Sequence, residues 1–213
     1  MTKQMKVVKA AVLMAVLAMP LPALAQVHAV AGGLGGLTFG SEKGGNVATD
    51  VGIDFSKYVR LTGEFGRLTS ILPTATSDDL TLQANNYAAQ FGNTATASGK
   101  LAATTFTGLL RVQGDPSNRV NPFAEAGFGL AHLSGSMAAV MNDPVNGNSD
   151  ISSQINEPLL TTTSNNGLFI AGGGLSFLLD KSVSLDVGYR YGRIMGTTPI
   201  NTGRVYTGLQ IKF

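Results

Sequence analysis

Cysteine is absent from all 213 residues, which removes both a disulfide framework and any thiolate metal site. Histidine is nearly absent too: His28 and His132 stand far apart in the chain, so no metal site and no cofactor are expected. Charged residues make up only 13%, about half of what an ordinary soluble domain carries. Beyond residue 25 no stretch approaches the roughly 18 uninterrupted apolar residues of a spanning helix, so a helical membrane protein is excluded. No basic cluster follows the first residues either, and a nucleic-acid partner is unsupported.

The first 25 residues have their own logic. Lys3, Lys6 and Lys9 form a basic head, Ala10 to Ala18 an apolar core broken by Pro20 and Pro22, and Ala23-Leu24-Ala25 a small-x-small ending. This pattern predicts a secretory signal peptide over residues 1–25, cleaved before Gln26. The leader holds three of the 15 Lys and Arg and none of the 13 Asp and Glu, so residues 26–213 carry 12 bases against 13 acids, a net −1.

What is abundant is period-two alternation. Val47, Thr49, Val51, Ile53 and Phe55 alternate with Ala48, Asp50, Gly52 and Asp54, the signature of a strand with two unlike faces. After a turn at residues 56–58 the pattern resumes from Val59 to Gly66, and it returns over 104–112, 122–133, 167–179, 183–195 and 203–213. Val27 to Phe39 adds a glycine-rich strand. The total is eight, and an even count suits a closed antiparallel membrane barrel. Connections at 56–58, 113–121 and 180–182 are short, whereas the polar stretches at 70–100 and 134–166 are expected as long loops. Together with 40–46 and 196–202 they fall at one end, expected to be the outer one.

The two faces point to a membrane. Strand 203–213 sets Val205, Thr207, Leu209, Ile211 and Phe213 against Arg204, Tyr206, Gly208, Gln210 and Lys212. Polar faces elsewhere carry Gly, Ser and Thr but little of the Lys and Glu that covers a water-facing sheet. The fold class expected is therefore all-β: an eight-stranded antiparallel up-and-down transmembrane β-barrel spanning residues 26–213, apolar side outward. Arg60, Glu64, Arg111, Glu125, Asp186, Arg190, Arg204 and Lys212 would then form a lumenal charge network. Glycines 52, 66, 127, 129, 188 and 208 would make room for it. Since eight strands enclose only enough space for side chains, the lumen is expected to be plugged; a small-solute or ion channel is the alternative.

The C-terminal segment Val205-Tyr206-Thr207-Gly208-Leu209-Gln210-Ile211-Lys212-Phe213 resembles the terminal signal of outer-membrane barrels, with Tyr206, Leu209, Ile211 and Phe213 as its marks. Asp186-Val187-Gly188-Tyr189-Arg190-Tyr191 and Pro122-Phe123-Ala124-Glu125-Ala126-Gly127-Phe128-Gly129 resemble late strands of opacity-type and outer-membrane-protein-A-like barrels. The resemblance implies the Gram-negative outer membrane as location. It also implies the β-barrel assembly machinery, periplasmic chaperones, outer-membrane lipid and lipopolysaccharide as partners. No peptidoglycan-binding domain is expected after Phe213.

Chemistry has little support. His132-Leu133-Ser134 is similar to the His-x-Ser pair of a barrel-embedded lipid A deacylase, with one residue as base and the other as nucleophile. The next acid, Asp143, is expected in a loop, so the pair is read as a polar pair at a strand end and no enzyme activity is expected. Gly32-Gly33-Leu34-Gly35-Gly36 and Gly172-Gly173-Gly174 open no helix and lack a following Lys-Ser or Lys-Thr, so they are not phosphate cradles. The expected role is structural and surface-interacting: adhesion or envelope integrity, through contact of the two long loops with a host or cell-surface ligand; the alternative is that these loops are mobile or only shield the barrel rim.

Overall fold

The computed structural model describes residues 28–39, 43–161 and 163–213; the expected signal peptide, residues 1–25, lies outside them. Among the described residues nine strands follow one another: β1 (His28–Phe39), β2 (Lys43–Ser56), β3 (Val59–Leu68), β4 (Thr94–Gln113), β5 (Val120–Asn142), a two-residue β6 (Ser149–Asp150), β7 (Ser164–Asp180), β8 (Val183–Ile194) and β9 (Ile200–Lys212). Two helices interrupt them, α1 (Thr74–Ala89) and α2 (Pro158–Thr161), and a 3-10 turn spans Ser152–Gln154.

Eight of the strands close into a ring. Each is antiparallel to its neighbour in the chain, β6 pairs only with an edge of β5, and β9 returns to β1. Alternation sets which face is buried: Asp50, Arg60, Glu64, Arg111, Glu125, Asp186, Arg190 and Arg204 lie inside, while Val47, Val51, Phe65, Phe106, Leu110, Phe128, Val187, Leu209 and Ile211 lie exposed outside. Such a surface is stable only where hydrocarbon replaces water, since closure pairs the backbone and the outer wall is apolar. No helix among the described residues is long and apolar enough to cross a membrane.

Turns at one end are short and locally determined. The Ser56 hydroxyl accepts hydrogen bonds from the Tyr58 and Val59 amides at 3.2 Å each, and Asp115 accepts from the Ser117 amide at 3.1 Å. Such side-chain to backbone bonds are what Ser and Asp contribute at turns.

The opposite end departs from expectation. Residues 70–100 are not one loop: α1 occupies Thr74–Ala89, and β4 begins at Thr94 rather than 104. Likewise β5 continues to Asn142 instead of ending at Leu133, and β7 starts at Ser164. β3 stops pairing with β4 at Ala103, and β7 stops pairing with β5 at Leu133, yet β4 and β5 stay paired to Thr94↔Asn142. The ribbon beyond the ring is thus nine rungs long, roughly 30 Å at the usual strand rise.

A bare two-stranded ribbon is marginal in water, and packing makes this one stable. Leu80, Ala84 and Ala88, four residues apart on α1, turn one face onto it, joined by Ile71, Leu72, Ile151, Ile155 and Leu160. Leu80 and Leu101 are each 1% exposed, and burial of a leucine contributes about 2 kcal/mol. Backbone bonds from Ile71 to the Leu101 carbonyl (3.0 Å) and from Ile151 to the Ala139 carbonyl (2.9 Å) tie the segments down. A glycine permits the approach: a Cβ on Gly99 would fall 2.8 Å from Leu80 Cδ1. The Thr and Asn content of 74–89 gives weak intrinsic helix propensity, so this helix depends on its tertiary contacts.

Candidate functional site

The barrel interior has three levels. At the short-turn end a vestibule of about 270 Å³ is lined by Asp54, Arg60, Gln113, Asn121 and Lys212, among others. Here Asp54 receives Arg60 Nε at 2.7 Å and Lys212 Nζ at 3.2 Å.

The middle level is a belt of charge. Arg190 pairs with Glu64, and its Nε donates to Glu125 Oε1 at 2.5 Å. Arg111 pairs with Asp186. Tyr206 donates its hydroxyl to Glu125 Oε1 at 2.9 Å, and the Arg190 guanidinium lies 4.5 Å over its ring. The other face of the belt is closed by Gln210, whose amide donates to both Asp50 oxygens at 2.9 and 3.2 Å. Arg111 stacks on Phe123 at 3.7 Å. Only about 10 Å³ of free space remains among these groups, no more than a single water needs.

Asp50, Asp54, Glu64, Glu125 and Asp186 oppose Arg60, Arg111, Arg190, Arg204 and Lys212, so the interior balances at five against five among the described residues. Balance is required because an unpaired charge at this depth would cost several kcal/mol. Glycines supply the room: a Cβ on Gly188 would meet the Tyr206 ring at 2.8 Å, and one on Gly172 would meet Arg190 Cγ at 2.8 Å.

The third level is apolar. Leu68, Leu109, Leu133, Leu168, Ile170, Ile194 and Ile200 fill the long-loop end and merge with the core beneath α1. Above it the surface turns are held by carboxylates. Hydrogen bonds from the Asn146 side chain and from the Val145 and Asn146 amides keep Asp143 below the usual carboxylate pKa, and Ser152 does the same for Asp150.

Of the eight charges that alternation assigns to the lumen, Arg60, Glu64, Arg111, Glu125, Asp186, Arg190 and Arg204 are buried, and Lys212 is partly exposed. The structure gathers Glu64, Glu125, Arg190 and Arg204 around Tyr206, sets Arg111 on Asp186, and leaves Arg60 and Lys212 at the vestibule. Asp50, Asp54, Tyr206 and Gln210 belong to the same constellation and were not among the expected members. The signal was present, since Asp50 and Asp54 sit on the polar register of β2. Tyr206, expected as part of the terminal signal, is buried within the belt, whereas Leu209, Ile211 and Phe213 face outward.

His132 and Ser134 lie on the outer face of β5 near the long-loop end. His132 Nδ1 is 2.7 Å from Asn165 Oδ1, and among the described residues no carboxylate orients the ring and no hydrogen bond joins it to Ser134.

A closed ring with an apolar exterior and a charge-filled, balanced interior defines a transmembrane β-barrel. The chain belongs to the outer membrane protein beta-barrel domain family, whose profile matches residues 10–213, and its location is the Gram-negative outer membrane. No curated protein matches the sequence. Among solved structures the fold is similar to Neisserial surface protein A, at 17% identity over 88% of this chain and 97% of that one, with a TM-score of 0.51. It is also similar to a major outer membrane protein from Thermus thermophilus, at 13% identity over 87% and 99%, with a TM-score of 0.51. At such identities the likeness concerns the fold.

Proposed function

We propose that this protein is a non-conducting, non-catalytic surface barrel whose work is done by the folded cap above its long-loop end, in adhesion or envelope integrity. In the family's usual orientation short turns are periplasmic and long connections extracellular, which puts α1 and the β4–β5 ribbon outside the cell. The observation that carries the reading is the double obstruction of the lumen, by a charge belt with about 10 Å³ to spare and by the apolar level above it. Transport has no path, whereas the cap presents Leu82, Phe91 and Val145 to solvent, the last at 85% exposure. These three apolar groups on a built scaffold are the contact points the reading assigns to the cap.

Three measurements test this. Planar-bilayer recordings of the purified protein should stay at background; a stable, selective conductance would favour the channel alternative. Cells displaying Leu82→Glu/Phe91→Glu/Val145→Glu at wild-type surface levels should lose attachment to host cells or serum survival; unchanged behaviour in both would sink the surface role. That no carboxylate among the described residues orients His132 supports a chain without deacylase activity. Lipid A from cells expressing wild type and Ser134→Ala should then give identical acyl profiles by mass spectrometry. Passage through periplasmic chaperones and the barrel assembly machinery, read from the outward Leu209, Ile211 and Phe213, belongs to the same proposal.

A further inference from the structure

On the outside wall, at the long-loop end, a groove of about 300 Å³ runs between β3, β4 and β5. Its walls carry Arg67, Lys100, Thr69, Ser70, Ser134 and Ser136. Leu101, Ala102 and Gly135 complete the lining, and the two charged side chains are of the same sign. Ser136 stands directly opposite Lys100, and Ser134 directly opposite Ala102. Ser70 closes the groove in a left-handed backbone conformation, φ 53°, the one such non-glycine residue among those described; few non-glycine residues adopt it.

The level of the groove decides what it meets. Phe65 and Phe106 are direct partners on β3 and β4, and Phe128 packs on Phe169 at 5.2 Å between centroids. These outward rings form an aromatic band of the kind that marks the border of the hydrocarbon. Arg67 comes two residues after Phe65 and Lys100 six residues before Phe106, both on the loop side of the band. The groove thus opens where lipid headgroups lie. Neither cation forms an ion pair with any described residue, unlike the cations of the lumen.

We propose that this groove is a binding site for the phosphate of an outer-leaflet glycolipid. Arg67 supplies a planar fork that matches two phosphate oxygens, Lys100 a compact second charge, and the serine hydroxyls further donors. The apolar wall directly below, with Phe106, Phe128 and Leu130, receives the acyl chains of the same molecule. A phosphate in this position completes two charges that the fold leaves open at an interface. The inference uses the outward orientation of the long-loop end but not the adhesive role.

The test uses the full chain in phosphatidylcholine nanodiscs containing either lipid A or the same glycolipid stripped of phosphate, present in both leaflets. Native mass spectrometry after detergent exchange counts glycolipid retained. Wild type should keep the phosphorylated form over the stripped form by about tenfold, the scale set by one charge-assisted contact. Arg67→Gln/Lys100→Gln should lose that preference, Arg67→Lys/Lys100→Arg should keep most of it, and Arg119→Gln/Lys181→Gln at the short-turn end should leave it unchanged. Equal retention of the two glycolipids by wild type would overturn the site. So would a preference surviving in the Arg67→Gln/Lys100→Gln variant, or full displacement of lipid by millimolar inorganic phosphate, which would mark a simple ion site. Both substituted cations are exposed, and heat-modifiable migration verifies folding of every variant. Unchanged attachment and serum survival in the cap variant, with phosphate preference retained by wild type, would overturn the proposed function alone.

Discussion

Glu64 on β3 and Arg190 on β8 stand diametrically opposite in the eight-stranded ring and pair across its lumen. Within the sheet, each lies directly opposite a residue of its own sign: Glu64 faces Asp50, and Arg190 faces Arg204. Arg60 and Arg111 are opposed on β3 and β4 as well, though each also faces a carboxylate on its other neighbouring strand, Asp54 for Arg60 and Glu125 for Arg111. Like charges opposed on neighbouring strands are destabilising, so an open sheet of the same strands carries repulsion that closure relieves. The charge belt therefore favours the closed ring over a partly assembled one.

Removing the carboxylate from this spoke should expose the repulsion. Glu64→Gln keeps the volume but leaves Arg190 and Arg204 with Glu125 as their remaining close acid. Stability should fall by about 3 kcal/mol or more, the usual cost of breaking a buried ion pair from one side. Urea unfolding of the protein in lipid vesicles, followed by tyrosine fluorescence, measures it; a loss below about 1 kcal/mol would contradict the assignment.

Arg111 and Asp186 offer a cleaner comparison because each is the other's only ion-pair partner among the described residues. Asp186→Asn should destabilise strongly, whereas Arg111→Met/Asp186→Leu should recover most of the loss, since a buried pair replaced by packed apolar groups is often neutral. A double variant as unstable as the single one would indicate that these residues do more than neutralise each other.

The cap should fail separately from the barrel. Gly99→Val puts a branched side chain where Leu80, Leu72 and Leu160 converge, and overpacking of this kind costs about 1–3 kcal/mol. Limited proteolysis should then cut within residues 70–93 and 143–163, while the boiled and unboiled gel positions of the barrel keep their difference. Protection equal to wild type would show that the ribbon and α1 do not depend on this contact.

A chain without cysteine makes single-cysteine labelling unambiguous. Cysteine placed at Leu185, Leu209 or Ile211 should react with a maleimide confined to the bilayer, and cysteine at Gly208 or Gln210 should not. Reaction at the inner positions in place of the outer ones would invert the proposed faces.

Much of the fold was legible because one physical fact governs strand patterning: side chains alternate, so a single residue step separates lumen from lipid. The alternation from Val47 to Phe55 and from Val205 to Phe213 thus predicts both the strands and their faces. The cap was not legible. In 74–89 the apolar face is three small or single residues, Leu80, Ala84 and Ala88, too thin a stripe to announce a helix. In 94–103 a Thr-Ala-Ser run hides a strand. Each becomes ordered only against the other, and against Ile151, Ile155 and Leu160 from a distant part of the chain.

By itself the sequence determined the eight strands of the ring and the sign of each face, because periodicity and hydrophobicity act locally along the chain. Only the tertiary structure decided which charges meet, that Tyr206 joins them, and that the long connections fold into a cap. Those outcomes depend on groups on opposite walls of the ring, or far apart in sequence, coming within bonding distance, which no local pattern encodes.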